Sequence, residues 1–284
     1  MEEEDLSVEQ ICEKLLFLKN VEPGSGISGT DFVLKQLDHE EAKVREKAAE
    51  CAWEWPGREI ADKLLKLARN DPDHSVRRRA IKSLGWYMHY GEDNMYEEAI
   101  SPGEWIEETL KLEQYKEIRD FLLDVHRDQK KRSFDERRYA LEALSFVYRE
   151  DILNYIEEAY QSDAKEMVIS SLFAMGRSGL SQWKDKILES LHSDNDKIQF
   201  EAIRACGNCS IDEARPEIIR ICKSTDDRMV LKESLLSLAS LGEPTMFEFF
   251  DNLEAELPMK LEQDFIEYVR EEWRFNSQLR KDNW

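Results

Sequence analysis

Glycine and proline are scarce in this 284-residue chain, with 11 and 7 copies. A protein of many short strands needs turn residues at each reversal, so this scarcity argues against a sheet fold. No stretch approaches the ~18 consecutive apolar residues of a membrane span, and no partner membrane is expected. The opening MEEEDLSVEQ is acidic from its second residue and lacks the apolar core of a secretory leader. A cytoplasmic protein is the expectation. Five cysteines, an odd count, fit reduced thiols there better than a disulfide framework. Positive charge is also short, since 40 Lys and Arg face 61 Asp and Glu for a net −21. Such a surface repels a phosphate backbone, which argues against nucleic acid. Neither a GxxxxGK[ST] phosphate loop nor a GxSxG nucleophile elbow occurs, and EPGSGISG has no lysine after it.

What the chain has in quantity is a repeat. VREKAAECAW, VRRRAIKSLGW, ERRYALEALSF, MVISSLFAMGR, IQFEAIRACGN and VLKESLLSLAS align on a small residue: Ala48, Ala80, Ala140, Ser171, Ala202 and Ser234. Four residues before it stand Val44, Val76, Glu136, Met167, Ile198 and Val230. One after it stand Ala49, Ile81, Leu141, Leu172, Ile203 and Leu235, and four after it Ala52, Leu84, Leu144, Met175, Cys206 and Leu238. These offsets share one stripe of an α-helix, and the small residue lets a neighbour approach. Successive small positions are 32, 60, 31, 31 and 32 residues apart. The period predicts six units and a degenerate seventh between residues 90 and 125.

Other amphipathic segments lie between the striped ones: REIADKLLKLA, YKEIRDFLLDV, ILNYIEEAYQS, QWKDKILESLH and ARPEIIRICKS. The turns NDPD, QSDA, HSDND and STDD supply Ser, Asp and Asn suited to capping the next helix. No segment sustains period-two alternation. The prediction is an all-α protein with essentially no β-sheet, an α-solenoid of about seven antiparallel helix pairs. Residues 1–284 are expected to form one continuous domain. Within it, residues 1–29 give a capping helix and loop, 30–243 the repeats, and 244–284 a C-terminal cap.

DPDHSVRRRAIKSLG, an Asp-rich turn followed by Val-Arg, Ala and Leu-Gly, resembles HEAT-like repeats. The short period resembles the variety found in phycobilin lyases, and the resemblance spans about residues 30–275. It implies a right-handed superhelix with an Asp–Arg ladder between units. Asp73 and Arg77 match the ladder positions and Arg45 matches its Arg, whereas Val168, Gln199 and Leu231 stand where later Arg residues belong. The resemblance also implies that second helices line a concave face, which places Arg78, Arg79, Lys82, Trp86, Arg138, Glu142 and Arg204 there. His39-Glu40 resembles the metal-binding pairs of deoxyhypusine hydroxylase. That enzyme type needs several such pairs, so His39 and His74 read as turn residues.

Cys206 and Cys209 form a CxxC. Their register puts Cys206 on the apolar stripe, near the C-terminal end of a helix, where the dipole disfavours a thiolate. Packing is the reading. A zinc site would need Cys222 and His192 in addition, and a redox pair would need the other helix end. Trp53, Trp55, Trp86, Tyr87, Trp105, Trp183 and Trp273 divide between core, caps and a binding groove. The sequence singles out no catalytic residue, no metal ligand and no cofactor. The expected function is a non-catalytic, monomeric scaffold or adaptor holding another protein or peptide segment on its concave face. A lyase or chaperone for a bilin-like cofactor is the alternative that the resemblance implies.

Overall fold

Stripes of apolar residues four apart are buried when helices stack side by side, and every regular element among the described residues is a helix. The computed structural model describes residues 6–21, 27–100, 110–147 and 149–282, with 93–100 and 282 described by backbone alone. Residues 22–26 of the connecting loop and Trp105 lie outside the described residues. In chain order the helices are α1 (Val8–Lys19), α2 (Thr30–Gln36), α3 (Ala42–Cys51), α4 (Arg58–Asn70), α5 (His74–Ser83), α6 (Gly85–Ile100), α7 (Leu112–Arg127) and α8 (Phe134–Leu144). There follow α9 (Glu150–Tyr160), α10 (Lys165–Ser178), α11 (Lys184–Ser190), α12 (Asp196–Asn208), α13 (Arg215–Ser224), α14 (Arg228–Leu241), α15 (Phe247–Asp251), α16 (Leu253–Glu256) and α17 (Gln263–Asp282). Among the described residues there is no strand. The fold is all-α, an α-solenoid.

The chain divides into two compact units, residues 1–152 and 153–284. In the first, α2/α3, α4/α5 and α7/α8 are the pairs, α1 packs on α3, and the second helices stack α3 on α5 on α8. That direct contact of α5 with α8 corrects the expectation of a degenerate pair between 90 and 125. The long step in the repeat holds α6, which runs on from α5 and packs against α7 and α8. Gly85 makes this possible, since a Cβ there would stand 3.2 Å from Ala143 Cα. In the second unit α10 packs on α12, α12 on α14 and α14 on α17. The helices α15 and α16 make the outer half of the last pair. Arg270 Nε of α17 donates to Phe250 O at 2.8 Å, and the Trp273 ring stacks on Phe250 at 5.0 Å.

The small residues hold the stack close. Ala48, Ala80, Ala140, Ser171, Ala202 and Ser234 are fully buried. Five positions further on, Gly176 and Gly207 lie so near the next helix that an added Cβ would meet Ala205 Cα at 2.9 Å and Ser237 Cα at 3.0 Å. Ser83 and Ser237 exploit the same approach by donating to Ala49 O at 2.7 Å and Ile203 O at 2.9 Å on the preceding second helix. Each such bond satisfies a buried hydroxyl that would otherwise cost about 1–3 kcal/mol.

The turns are built alike as well. Asp71, Ser162, Ser193 and Thr225 each accept from the backbone N–H two residues on. In three of these turns that residue, Asp73, Asn195 or Asp227, caps the following helix through its own side chain. Ala164 occupies the place in the fourth and has no capping oxygen.

The ladder of the first unit differs from the expected one in its acid. Arg45 grips Asp71 in a fork, with Nε at 2.7 Å and NH2 at 2.9 Å, and donates to His39 O and Glu40 O. Asp73 is not its partner because its Oδ1 accepts from the Ser75 N–H and hydroxyl at the start of α5. Arg77 holds Asp71 O and Pro72 O in the same way, and its Nε reaches Glu136 of α8 at 2.9 Å. Gln199 keeps half of the role by donating to Leu191 O at 2.9 Å. Val168 and Leu231 have no polar group for it, and the second unit relies on its glycine and serine contacts.

Candidate functional site

A row of side chains four residues apart lies on five of the second helices, two residues either side of the small position and six before or beyond it. It runs Arg78 and Lys82 on α5 to Trp86 at the start of α6, then Phe134, Arg138, Glu142 and Phe146 along and just past α8. In the second unit it runs Ile169, Phe173 and Arg177 on α10, Phe200, Arg204 and Asn208 on α12, and Leu236 and Ser240 on α14. The spacing keeps a row on one helix face. Six of the seven residues named from sequence fall in these rows. Arg79 is one position off and lies beside Glu50. Burial acts to raise the Glu50 carboxyl, but Lys19 at 2.8 Å and Lys47 at 2.9 Å, helped by Arg79, bring it down to about 2.

The first unit's face is less basic than RRRAIK suggests. Asp135 accepts from Arg138 Nε at 2.8 Å and from Arg78 NH1 at 3.1 Å, and the two guanidinium groups, Arg138 foremost, hold its carboxyl below the ordinary range. Arg138 also contacts Glu142 at 3.3 Å and donates to the Tyr139 hydroxyl at 2.8 Å. Lys82 Nζ stands 5.3 Å from the Tyr139 ring centre. Trp86 is half-buried, stacked on Tyr90 at 5.0 Å and edge-on to Tyr87. Tyr87 is core, its hydroxyl donating to Gly57 O at 3.1 Å. The cations here are therefore cross-linked by acids of their own face into a mixed patch with aromatic rings.

Arg204 belongs to the second unit and meets none of the other named residues. It lines a cavity of about 330 Å³ together with Phe173, Arg177, Asn208, Glu233 and Ser240. Its guanidinium lies 3.3 Å from Glu201 and 3.4 Å from Glu233, and 4.7 Å from the Phe200 ring centre. Burial raises the Glu233 carboxyl despite Arg204, and burial together with the charge of Arg204 lowers Arg177. A second recess of about 330 Å³ adjoins it at Phe200 and Glu201, lined also by Ile169, Lys197, Met229 and Val230. Sequence reasoning missed Phe173, Arg177, Phe200 and Met229. The first three stand in the register that selected Arg204, applied to neighbouring turns and helices.

Cys206 is buried on α12, and Cys209 caps that helix with its Sγ 3.6 Å from Met175 O. Burial pushes the two thiols up to about 12 and about 11. His192 is exposed and 3.3 Å from Glu217, and among the described residues no group of three or more His, Cys, Asp or Glu is gathered as a metal site. His39 is a turn residue whose Nδ1 accepts from the Glu41 N–H at 3.0 Å. No helix among the described residues is long and apolar enough to cross a membrane.

Residues 30–101 match the family described as HEAT repeats. Among solved structures the chain is similar to the complex of CpcE and CpcF of phycocyanin lyase from Nostoc sp. PCC7120. The identity is 14%, the match covers 90% of this chain and 97% of that one, and the TM-score is 0.54. It is also similar to a Kap95:Nup1 complex, at 15% identity over 93% of this chain and 37% of that one, with a TM-score of 0.48. Human deoxyhypusine hydroxylase in complex with glycerol matches at 13% identity over 95% and 92%, with a TM-score of 0.41. At such identities the first likeness shows a common fold. A comparison with curated proteins returns no match.

Proposed function

With the chain a HEAT-like repeat protein in fold, we propose that it is a non-catalytic scaffold or adaptor that holds a partner protein on the face of its second helices. The carrying observation is the set of rows. Arg78, Arg138, Arg177 and Arg204 stand in them beside the half-buried rings of Trp86, Phe146, Phe173 and Phe200. Arginine and large aromatic residues dominate the energetics of protein interfaces. A stable interface on the rows of either unit would bury on the order of 1,200–2,000 Å² in total. The similar CpcE–CpcF structure is itself a complex of two proteins, which supports a protein partner. Five free thiols suit a reducing compartment, so the reading puts a monomer in the cytoplasm.

Affinity capture from a lysate, read by mass spectrometry, tests the proposal. A protein retained by the wild type and lost with Arg78→Glu and Trp86→Ala supports it. Retention of the same proteins by both chains, or of none by either, contradicts it. The second reading, a lyase or chaperone for a bilin-like cofactor, draws on the phycocyanin-lyase likeness. It requires the purified chain to gain a visible absorption band when a bilin is added.

A further inference from the structure

The two recesses of the second unit meet on α12, where Phe200 of one and Arg204 of the other are four residues apart with the guanidinium 4.7 Å from the ring centre. One end is apolar. Phe200, Ile169 and Val230 line it, and Met229 stands at its edge with 62% of its surface exposed. A flexible thioether at the mouth of an apolar slot adapts to whatever side chain enters. The other end carries Arg177, whose guanidinium lies 5.8 Å from the Phe173 ring centre, and Arg204, whose guanidinium lies over Phe200.

Arg204 is engaged differently from the structural arginines. It holds Glu201 and Glu233 at 3.3 and 3.4 Å, whereas Arg45 meets Asp71 at 2.7 Å and Arg77 meets Glu136 at 2.9 Å. The shorter distances are those of charge-assisted hydrogen bonds, and the longer ones make weaker pairs. The two guanidinium groups are also close enough for one to disfavour the charge of the other. A carboxylate placed between them relieves this repulsion and takes up fork-shaped donors that match it.

We infer that residues 165–241 form a peptide-binding groove for a short extended segment with a bulky apolar side chain and, two residues on, a carboxylate. The inference rests on the scaffold reading and gives it a ligand. One helical turn separates the two ends by about 6 Å. Residues i and i+2 of an extended segment point to one side about 7 Å apart, which fits that step. The apolar side chain enters between Phe200 and Met229, and the acid meets Arg177 and Arg204.

The test is selection of random 12-residue peptides displayed on phage, with the full chain as bait. Enriched peptides are then synthesised and their affinities measured by fluorescence polarisation. The expected consensus pairs Phe, Leu, Ile or Met with Asp or Glu two positions on. Arg204→Gln and Arg177→Gln should each weaken such a peptide at least tenfold, and Met229→Asp likewise. Arg220→Ala on α13 should leave it unchanged, and unaltered thermal melting of each variant guards against simple unfolding. Consensus peptides without an acid, with Lys or Arg in its place, or indifferent to Arg177 and Arg204, overturn the groove while leaving the scaffold reading intact. No enrichment overturns the groove too, and lysate capture then decides the scaffold reading separately.

Discussion

Glu136, almost wholly buried on α8, accepts a 2.9 Å hydrogen bond from Arg77 Nε on α5. This pair explains why an acid occupies a stripe position that Val, Ile or Met fills in the other repeats. The same carboxylate meets Arg132 at 3.3 Å and accepts from the Ser133 N–H at 2.9 Å. Burial acts to raise the Glu136 carboxyl, but the Ser133 N–H and Arg77 outweigh it and hold the group below the ordinary glutamate range.

Glu136→Gln should therefore cost about 3–5 kcal/mol in urea unfolding at pH 7, the scale for breaking a buried pair from one side. A group with a depressed folded pKa stabilises above its unfolded value and stops doing so as pH falls through the folded one. The gap between wild type and Glu136→Gln should narrow below about pH 4. A gap that stays constant from pH 7 to pH 3 would show that the charge is not the source.

Close helix approach gives the next prediction. Gly207→Ala puts a methyl against Ser237 Cα and should destabilise the second unit by about 1–3 kcal/mol. Gly57→Ala, with open space around it, is the control and should change stability by less than about 1 kcal/mol. Equal effects at the two glycines would mean that the helices can separate without loss.

Much of this was legible in the residues. The stripe offsets predicted second helices that stack on their small positions, and the Asp- and Ser-rich turns predicted capped helix starts, a role that Asp73, Asn195 and Asp227 fill. Other features were not legible. The choice of Asp71 over Asp73 depends on which carboxylate the turn leaves free, and both are acids in one tetrapeptide. The step between α5 and α8 looked like a missing pair because spacing counts residues and not contacts. Arg78 and Arg138 read as a basic stripe until Asp135, one position outside the row, was seen to bridge them. Phe200 and Arg177 were within reach, since the row that named Arg204 continues through them.

Ser210 follows the C-cap of α12 with a φ of 52°, in the left-handed region that a side chain disfavours. Ser210→Gly should stabilise the protein by about 1 kcal/mol, seen as a raised urea midpoint. A loss of stability would mean that the serine makes a contact worth more than the strain.

The cysteine pair is predicted to be inert. With both thiols raised by burial, Cys206 and Cys209 should resist iodoacetamide at pH 8 in the folded chain and react only on unfolding. Cys206→Ala with Cys209→Ser should lower stability by about 1–2 kcal/mol through lost packing. A melting temperature that falls when chelator is added to the wild type would contradict the packing role.

The most direct test of the central claim is hydrogen–deuterium exchange on the chain bound to a captured partner, compared with the free chain. A scaffold that works through its second helices should gain protection in residues 74–88, 134–146, 165–178, 196–208 and 228–241, and little in α4, α7, α11 or α13. Protection confined to those first helices, or absent altogether, would contradict the account.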